Sequence, residues 1–331
     1  MSDLGAPGVA LTPATPKVVA LGGGHGLAAS LAALRRVTDQ LTAIVTVADD
    51  GGSSGRLRRD LGVLPPGDLR MALAALCEDD DWGRTWSRVV QHRFQGPGDL
   101  SGHSMGNLLI VALWELAADD PVHGLDWVGR LLKASGRVLP MSTVPLEIEA
   151  IVEDSDGQRS TVRGQVAVAT TSGRIVDVAL IPEKPPACAE AVTAINEADW
   201  VVFGPGSWFT SVIPHLLVPD LAAAVTTTRS RKAVVLNLEP QLGETTGFTP
   251  EAYLETLEQQ APGLAIDVVV ADASCVADRA TLERAAHRLG AELAVVEVRS
   301  EDDPARHDPS ALAAAFGEIL DAPRRPPAET E

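Results

Sequence analysis

The sequence predicts an α/β fold: a Rossmann-like, doubly wound, mostly parallel sheet with a helical and antiparallel β insertion. Three observations carry this. Short β-branched apolar runs alternate with segments of helical apolar spacing, the pattern of βαβ units buried on both faces. Four of those runs end in loops rich in glycine or in polar residues, where an open parallel sheet places its ligands. The middle of the chain abandons that grammar for helix-like stretches and then for alternating strands with turn signals.

The elements follow in order. Lys17–Gly24 (KVVALGGG) reads as a buried strand ending in glycines, and Leu27–Val37 has helical apolar spacing. Leu41–Asp50 (LTAIVTVADD) reads as a second buried strand. GDLRMALAALCE and GHSMGNLLIVALWELAAD read as helices. Pro145–Pro182 alternates and carries turn signals at Asp156-Gly157 and Ser172-Gly173, which predicts antiparallel strands. The parallel grammar returns at Asp199–Ser207, Lys232–Pro240, Ile266–Ser274 and Leu293–Val298, with helical stretches such as PEAYLETLEQQ and DRATLERAAHRLG between. A single domain over 16–321 is expected, with its insertion at about 140–185. The Pro/Ala-rich or charged ends, 1–15 and 322–331, are expected to be frayed tails.

Composition bounds the function. The 331 residues are 45% hydrophobic and 22% charged, which supports a sizeable core, and the net charge of -18 repels nucleic-acid phosphates and anionic membrane. The N-terminus lacks a basic, apolar leader, and no apolar run approaches the ~20 residues of a membrane span. A cytoplasmic protein with no nucleic-acid partner is expected. Cys77, Cys188 and Cys275 have no paired spacing, so neither a disulfide framework nor a zinc site is expected. A homo-oligomer is compatible with the sequence.

The strand-end loops supply the candidate site. Gly22-Gly23-Gly24-His25-Gly26 lies between a strand and a helix and reads as G-x-G-x-x-A at Gly24, Gly26 and Ala29, a backbone cradle for phosphate at a helix start. Asp49-Asp50-Gly51-Gly52-Ser53-Ser54 couples two carboxylates to a second glycine-serine loop. The carboxylates have three readings: turn caps, ligands of a Mg²⁺ that bridges a diphosphate, or acceptors for sugar hydroxyls. Gly204-Pro205-Gly206-Ser207 offers another anion nest, with Ser207 as a candidate helix cap. Asn107, four residues after His103, is a candidate ligand-facing group, and Arg56, Arg58 and Arg70 are candidate phosphate partners. His215 reads as structural. Tyr253, in a helical stretch, is expected to lie away from these loops.

The ordered set ALGGGHGL, TVADDGGSSGRLR, PPGDLRMAL, GHSMGNLL, GPGSWFTSVIPHLLVP and VLNLEPQLGETTGF resembles the gluconeogenesis factor family, homologous to 2-phospho-L-lactate transferase. The resemblance covers roughly Lys17 to Leu320. It implies a Rossmann-like core that binds a uridine diphosphate sugar such as UDP-N-acetylglucosamine, with a role in cell shape and carbon metabolism. Carried over residue by residue, it implies ligand contacts at Gly22 to Gly26, Asp49 to Ser54, Asn107, Gly204 to Ser207 and Thr245, and it makes Arg306 in ARHDPSALA a candidate contact for phosphate or sugar. Two positions depart from the family pattern: His25 stands where many relatives carry Thr, and Pro309 where relatives can carry a phosphorylatable Thr.

Three functions compete: a nucleotide-sugar-binding regulatory protein, a phospho-transfer enzyme of the 2-phospho-L-lactate transferase type using a nucleoside-diphosphate-linked donor, and an NAD-dependent oxidoreductase. The loops do not separate the first two, because phosphoryl transfer relies mainly on positioning and charge. No catalytic Tyr or Lys set accompanies the glycine loop, so no NAD is expected. Mg²⁺ is the candidate cofactor.

Overall fold

The structure, a computed structural model, describes residues 15–118 and 120–322. Apart from Thr15 and Ala322, the expected tails lie outside the described residues. The chain opens on strand β1 (Val18–Gly22), helix α1 (Gly24–Leu34) and strand β2 (Leu41–Val45). Helices α2 (Gly52–Leu61), α3 (Gly67–Ala75), α4 (Asp81–Gln91), α5 (Met105–Leu116) and α6 (Pro121–Leu132) lead to strand β3 (Arg137–Pro140). Strands β4 (Glu147–Glu153) and β5 (Arg159–Arg163), helix α7 (Gln165–Ala169) and strand β6 (Arg174–Ile181) form the insertion. Helix α8 (Ala189–Glu197) and strand β7 (Trp200–Phe203) restore the parallel pattern. A π-helical turn (Trp208–Val212) and helices α9 (Pro214–Leu217) and α10 (Pro219–Thr227) follow. Strand β8 (Arg231–Val235), helix α11 (Pro250–Gln260), strand β9 (Val268–Asp272), helix α12 (Arg279–Arg288), strand β10 (Glu292–Val296) and helix α13 (Pro309–Asp321) complete it.

Among the described residues, seven strands form one sheet in the order β10-β9-β8-β7-β1-β2-β3, and every pairing is parallel. The order reverses direction between β1 and β7. That is the switch point of a doubly wound sheet, where the outgoing loops diverge and leave a crevice. The central strands explain their own sequence: β1, VVALG, is buried at every residue because helices cover both faces. Leu21, Ile44, Phe203, Val234 and Val269 are fully buried at the core, and α1 packs against α3 and α13.

Local chemistry sets several boundaries. The Asp120 carboxylate accepts from the amides of Val122 and His123, and Asp308 accepts from those of Ser310 and Ala311. Each cap is followed by proline at the first helical position, where no N–H is missed. Pro309 therefore starts α13.

Some expectations need correction. β2 ends at Val45 rather than Asp50: Thr46 N still donates to Gly22 O at 3.0 Å, but Val47 O turns to accept from Leu146 N. The antiparallel sheet, ordered β5-β4-β6, is interrupted by α7, which the alternating pattern did not announce. β3 also went unpredicted; it is four residues long, ends on Pro140, and occupies the sheet edge where proline is tolerated. No helix among the described residues is long and apolar enough to cross a membrane.

Candidate functional site

The switch point brings the first and third glycine loops together. Gly24, His25 and Gly26 open α1, so their amides have no acceptor in a preceding turn. Gly26 faces the loop after β7 so closely that a Cβ would lie 2.2 Å from Pro205 O and 2.6 Å from Gly206 Cα. Ser30 Oγ, one turn on, donates to Gly204 O at 2.9 Å. The loops Gly22 to Gly26 and Gly204 to Ser207 thus pack against each other at the switch point. Ser207 does not cap with its side chain; the turn closes through its carbonyl, which accepts from Ser211 N at 2.8 Å and Val212 N at 3.1 Å.

The acidic pair divides. Asp49 Oδ1 accepts from Gly51 N at 2.9 Å, which sets the turn into α2. Asp50 Oδ1 instead accepts from Val166 N at 3.0 Å and so caps α7 of the insertion. Gly52 and the buried Ser53 and Ser54 form the first turn of α2, parallel in role to the start of α1 one strand away.

Beneath that turn lies a polar network. Ser53 Oγ accepts from Asn107 Nδ2 at 3.1 Å and from Ser104 N at 3.3 Å, so its own proton goes to His103 Nδ1, 3.0 Å away. That bond fixes the His103 tautomer with its proton on Nε2. Burial, with Arg56 nearby, holds the His103 pKa below the ordinary value. Asn107 also reaches Ser54 Oγ at 3.4 Å and accepts from Arg70 Nε at 3.0 Å. At 1% exposure, Asn107 organises the serines and Arg70 from behind. Arg56 donates to Ser101 O and Arg58 to Leu146 O, so both tie α2 to neighbouring backbone.

Asp68 and Arg70 are the site's strongest electrostatic feature. Asp68 is buried in the first turn of α3, and its Oδ2 has no hydrogen-bond partner. It converges with Thr46 and Ser211 on Gly23, where no side chain would fit. Burial pushes the Asp68 pKa up to about 7; the Asp49 charge adds to this, while the Gly24 amide and Arg70 oppose it. Arg70 is 5% exposed, and its burial and the charge of Arg93 pull its pKa down to about 10. His25 lies within the field of Arg306 and Arg70, which, after partial burial, hold its pKa low. Arg306 is exposed and ion-paired to Asp303 at 3.0 Å, yet its loop reaches this edge. The site therefore has a carboxylate pole at Asp49 and Asp68, an arginine pole, and two sets of helix-opening amides.

Thr245 is fully buried; its Oγ1 accepts from Gln241 N at 2.9 Å and shares a hydrogen bond with Tyr253 Oη at 3.1 Å. The expectation that Tyr253 lies away from the strand-end loops is corrected. It is on α11, but it packs edge-on against Trp208 and bonds Thr245, because the loop after β8 folds back over the π-helical turn. Glu244, beside Thr245, is 3% exposed, and burial raises its pKa to about 7 against the pull of the Thr210 hydroxyl and the amides of Trp208 to Thr210. His215 is structural as expected: fully buried, with Nε2 3.0 Å from Ile44 O and its pKa lowered by burial to about 4. Sequence reasoning left Asp68 and Asn237 out of the site. Asp68 stood inside the quoted PPGDLR; Asn237 had no local signal, and its bonds with Gly206 N at 2.8 Å and Gly206 O at 2.9 Å are visible only in the fold.

A separate open cleft lies at the opposite, amino edge of the sheet, lined by Lys17, Asp39, Arg137, Glu190 and Glu197 among others. Its lining includes the start of α8 but none of the glycine loops that follow β1, β2 and β7.

Residues 18–314 match the family described as 2-phospho-L-lactate transferase CofD. A relative from Mycobacterium tuberculosis named "Putative gluconeogenesis factor" is 53% identical over 308 residues, 91% of this chain and 90% of that protein. The "Gluconeogenesis factor" of Bacillus subtilis is 36% identical over 263 residues, covering 80% of each chain. The crystal structure of a UPF0052 family member from Bacillus halodurans superposes with a TM-score of 0.80 at 35% identity, covering 90% of this chain and 98% of that one. The chain belongs to the CofD/UPF0052 family, among relatives named gluconeogenesis factor.

Proposed function

We propose that this chain binds a nucleoside-diphosphate sugar, of the UDP-N-acetylglucosamine type, at the carboxyl edge between β1, β2 and β7. It acts there as a cytoplasmic regulatory protein linked to cell shape and carbon metabolism. The observation that carries the reading is the convergence of the α1 and α2 starts with Asp49, Asp68 and Arg70 at the switch point. Helix-opening amides and a buried guanidinium suit phosphate oxygens. Carboxylates beside them suit a bridging cation or sugar hydroxyls.

For a cation, the residues fit Mg²⁺ with one change from the sequence reading. Asp50 is engaged by α7, whereas Asp68 has a buried, unpartnered oxygen beside the Asp49 charge. Asp49 and Asp68 would hold the ion, with ligand phosphates completing the shell; Mg²⁺ favours one or two carboxylates plus phosphates. Among the described residues no cluster of three or more His, Cys, Asp or Glu provides a cage that would bind metal without the ligand. The same pair favours a second reading, phospho-transfer of the 2-phospho-L-lactate transferase type.

Calorimetric titration with UDP-N-acetylglucosamine, with and without Mg²⁺, tests the first reading. Saturable binding is expected, strengthened by Mg²⁺, with no product after hours; absence of binding refutes it. Turnover of a nucleoside-diphosphate-linked phospholactate donor with a deazaflavin acceptor would favour the second.

A further inference from the structure

The loop after β7 is held by one side chain. β7 and β8 pair Phe203 with Val234, and the same register, continued three residues, sets Gly206 opposite Asn237. The backbone ladder cannot continue there. Pro205 has no N–H, and Gly204 and Gly206 have φ of +68° and +140°. The Asn237 carboxamide supplies the missing rung: Gly206 N donates to Oδ1 at 2.8 Å, and Nδ2 donates to Gly206 O at 2.9 Å. From Gly206 the contact passes directly to α1, since Gly206 Cα and Pro205 O lie against Gly26 with no room for a Cβ.

We infer that Asn237 is the positioning residue of this site, holding Gly206 against Gly26 and so setting the opening amides of α1 relative to the β7 loop. The inference rests on reading this edge as the ligand site. The Gly206 amide is spent on Asn237 and is not open to a ligand.

The test compares Asn237→Ala and Asn237→Asp with Leu282→Ala, a core truncation in α12 whose side chain is fully buried and distant in sequence from the loops. Asp keeps the acceptor for Gly206 N but sets an oxygen against Gly206 O. Without any ligand, hydrogen exchange in the segment Gly23–Leu31 is expected to accelerate by about tenfold in both Asn237 variants relative to β9 and β10, the cost of one to two hydrogen bonds, whereas Leu282→Ala is expected to speed the core amides without favouring Gly23–Leu31. UDP-N-acetylglucosamine affinity is expected to fall by about tenfold in the Asn237 variants, and by less than about twofold in Leu282→Ala. Unchanged exchange at Gly23–Leu31, or the same selective acceleration there in Leu282→Ala, overturns the inference. A wild-type protein that ignores UDP-N-acetylglucosamine while the exchange contrast holds refutes the ligand reading alone.

Discussion

Gly26→Ala tests the packing on which the site depends. Gly26 is helical, so alanine costs nothing in backbone conformation, and propensity alone would stabilise α1 by up to about 1 kcal/mol. The added Cβ, however, lands 2.2 Å from Pro205 O, 2.6 Å from Pro205 C and 2.6 Å from Gly206 Cα, all backbone atoms. To reach even a 3.0 Å contact, the β7 loop must retreat by about 0.8 Å. The Asn237 bonds to Gly206 resist that retreat. Overpacking of this kind costs about 1–3 kcal/mol, so after the propensity gain the net loss is up to about 2 kcal/mol and the melting temperature falls by up to a few degrees. The retreat also re-aims the loops at the switch point, and affinity for UDP-N-acetylglucosamine is expected to fall by about tenfold or more. Calorimetry and thermal unfolding read both quantities. Gly129→Ala is the control, since no atom lies within 4 Å of its added Cβ on the helix face; it should stabilise slightly and leave binding intact. Wild-type affinity and stability in Gly26→Ala would refute the claim that the α1–β7 contact sets the site.

Asp68 gives a pH signature. Its folded pKa of about 7 lies above the unfolded carboxylate value, so its stabilising contribution is full below the unfolded pKa and is lost as pH rises through about 7. Asp68→Asn removes this loss, so the melting temperature of the variant relative to wild type should climb between pH 5 and 7 by the equivalent of up to about 1.4 kcal/mol per unit and then level off. A difference independent of pH refutes the buried, proton-holding Asp68. Asp50→Ala removes the cap on Val166 N; hydrogen exchange in α7 should accelerate by about fivefold while the main sheet is unaffected. Unchanged α7 exchange would return Asp50 to the ligand side of the loop.

Much of this was legible in the sequence because it is periodic or local. Buried β-branched runs announced the central strands, and the glycine loops announced which strand ends matter. The turn signals at Asp156-Gly157 and Ser172-Gly173 placed the insertion. What stayed hidden is spatial. Asp49 and Asp50 are neighbours in the chain, yet one sets the α2 turn and the other caps a helix more than a hundred residues away. Asp68 read as an ordinary first-turn acid, because only the fold reveals that its oxygen is buried beside Asp49. Thr245 carried a family motif, but its hydroxyl is committed to Tyr253 and Gln241, and the motif's buried charge is its neighbour Glu244. Asn237 followed a strand like any polar loop residue; its two bonds to Gly206 exist only because β7 and β8 share a register.

Amide hydrogen exchange of the wild-type protein with and without UDP-N-acetylglucosamine and Mg²⁺ tests the central claim most directly. The account predicts slowed exchange at Gly23–Leu27 and Gly51–Gly55, the openings of α1 and α2, with little change along β9 and β10. Protection confined to the amino-edge cleft around Lys17, Arg137 and Glu190, or no protection at saturating ligand, would contradict it.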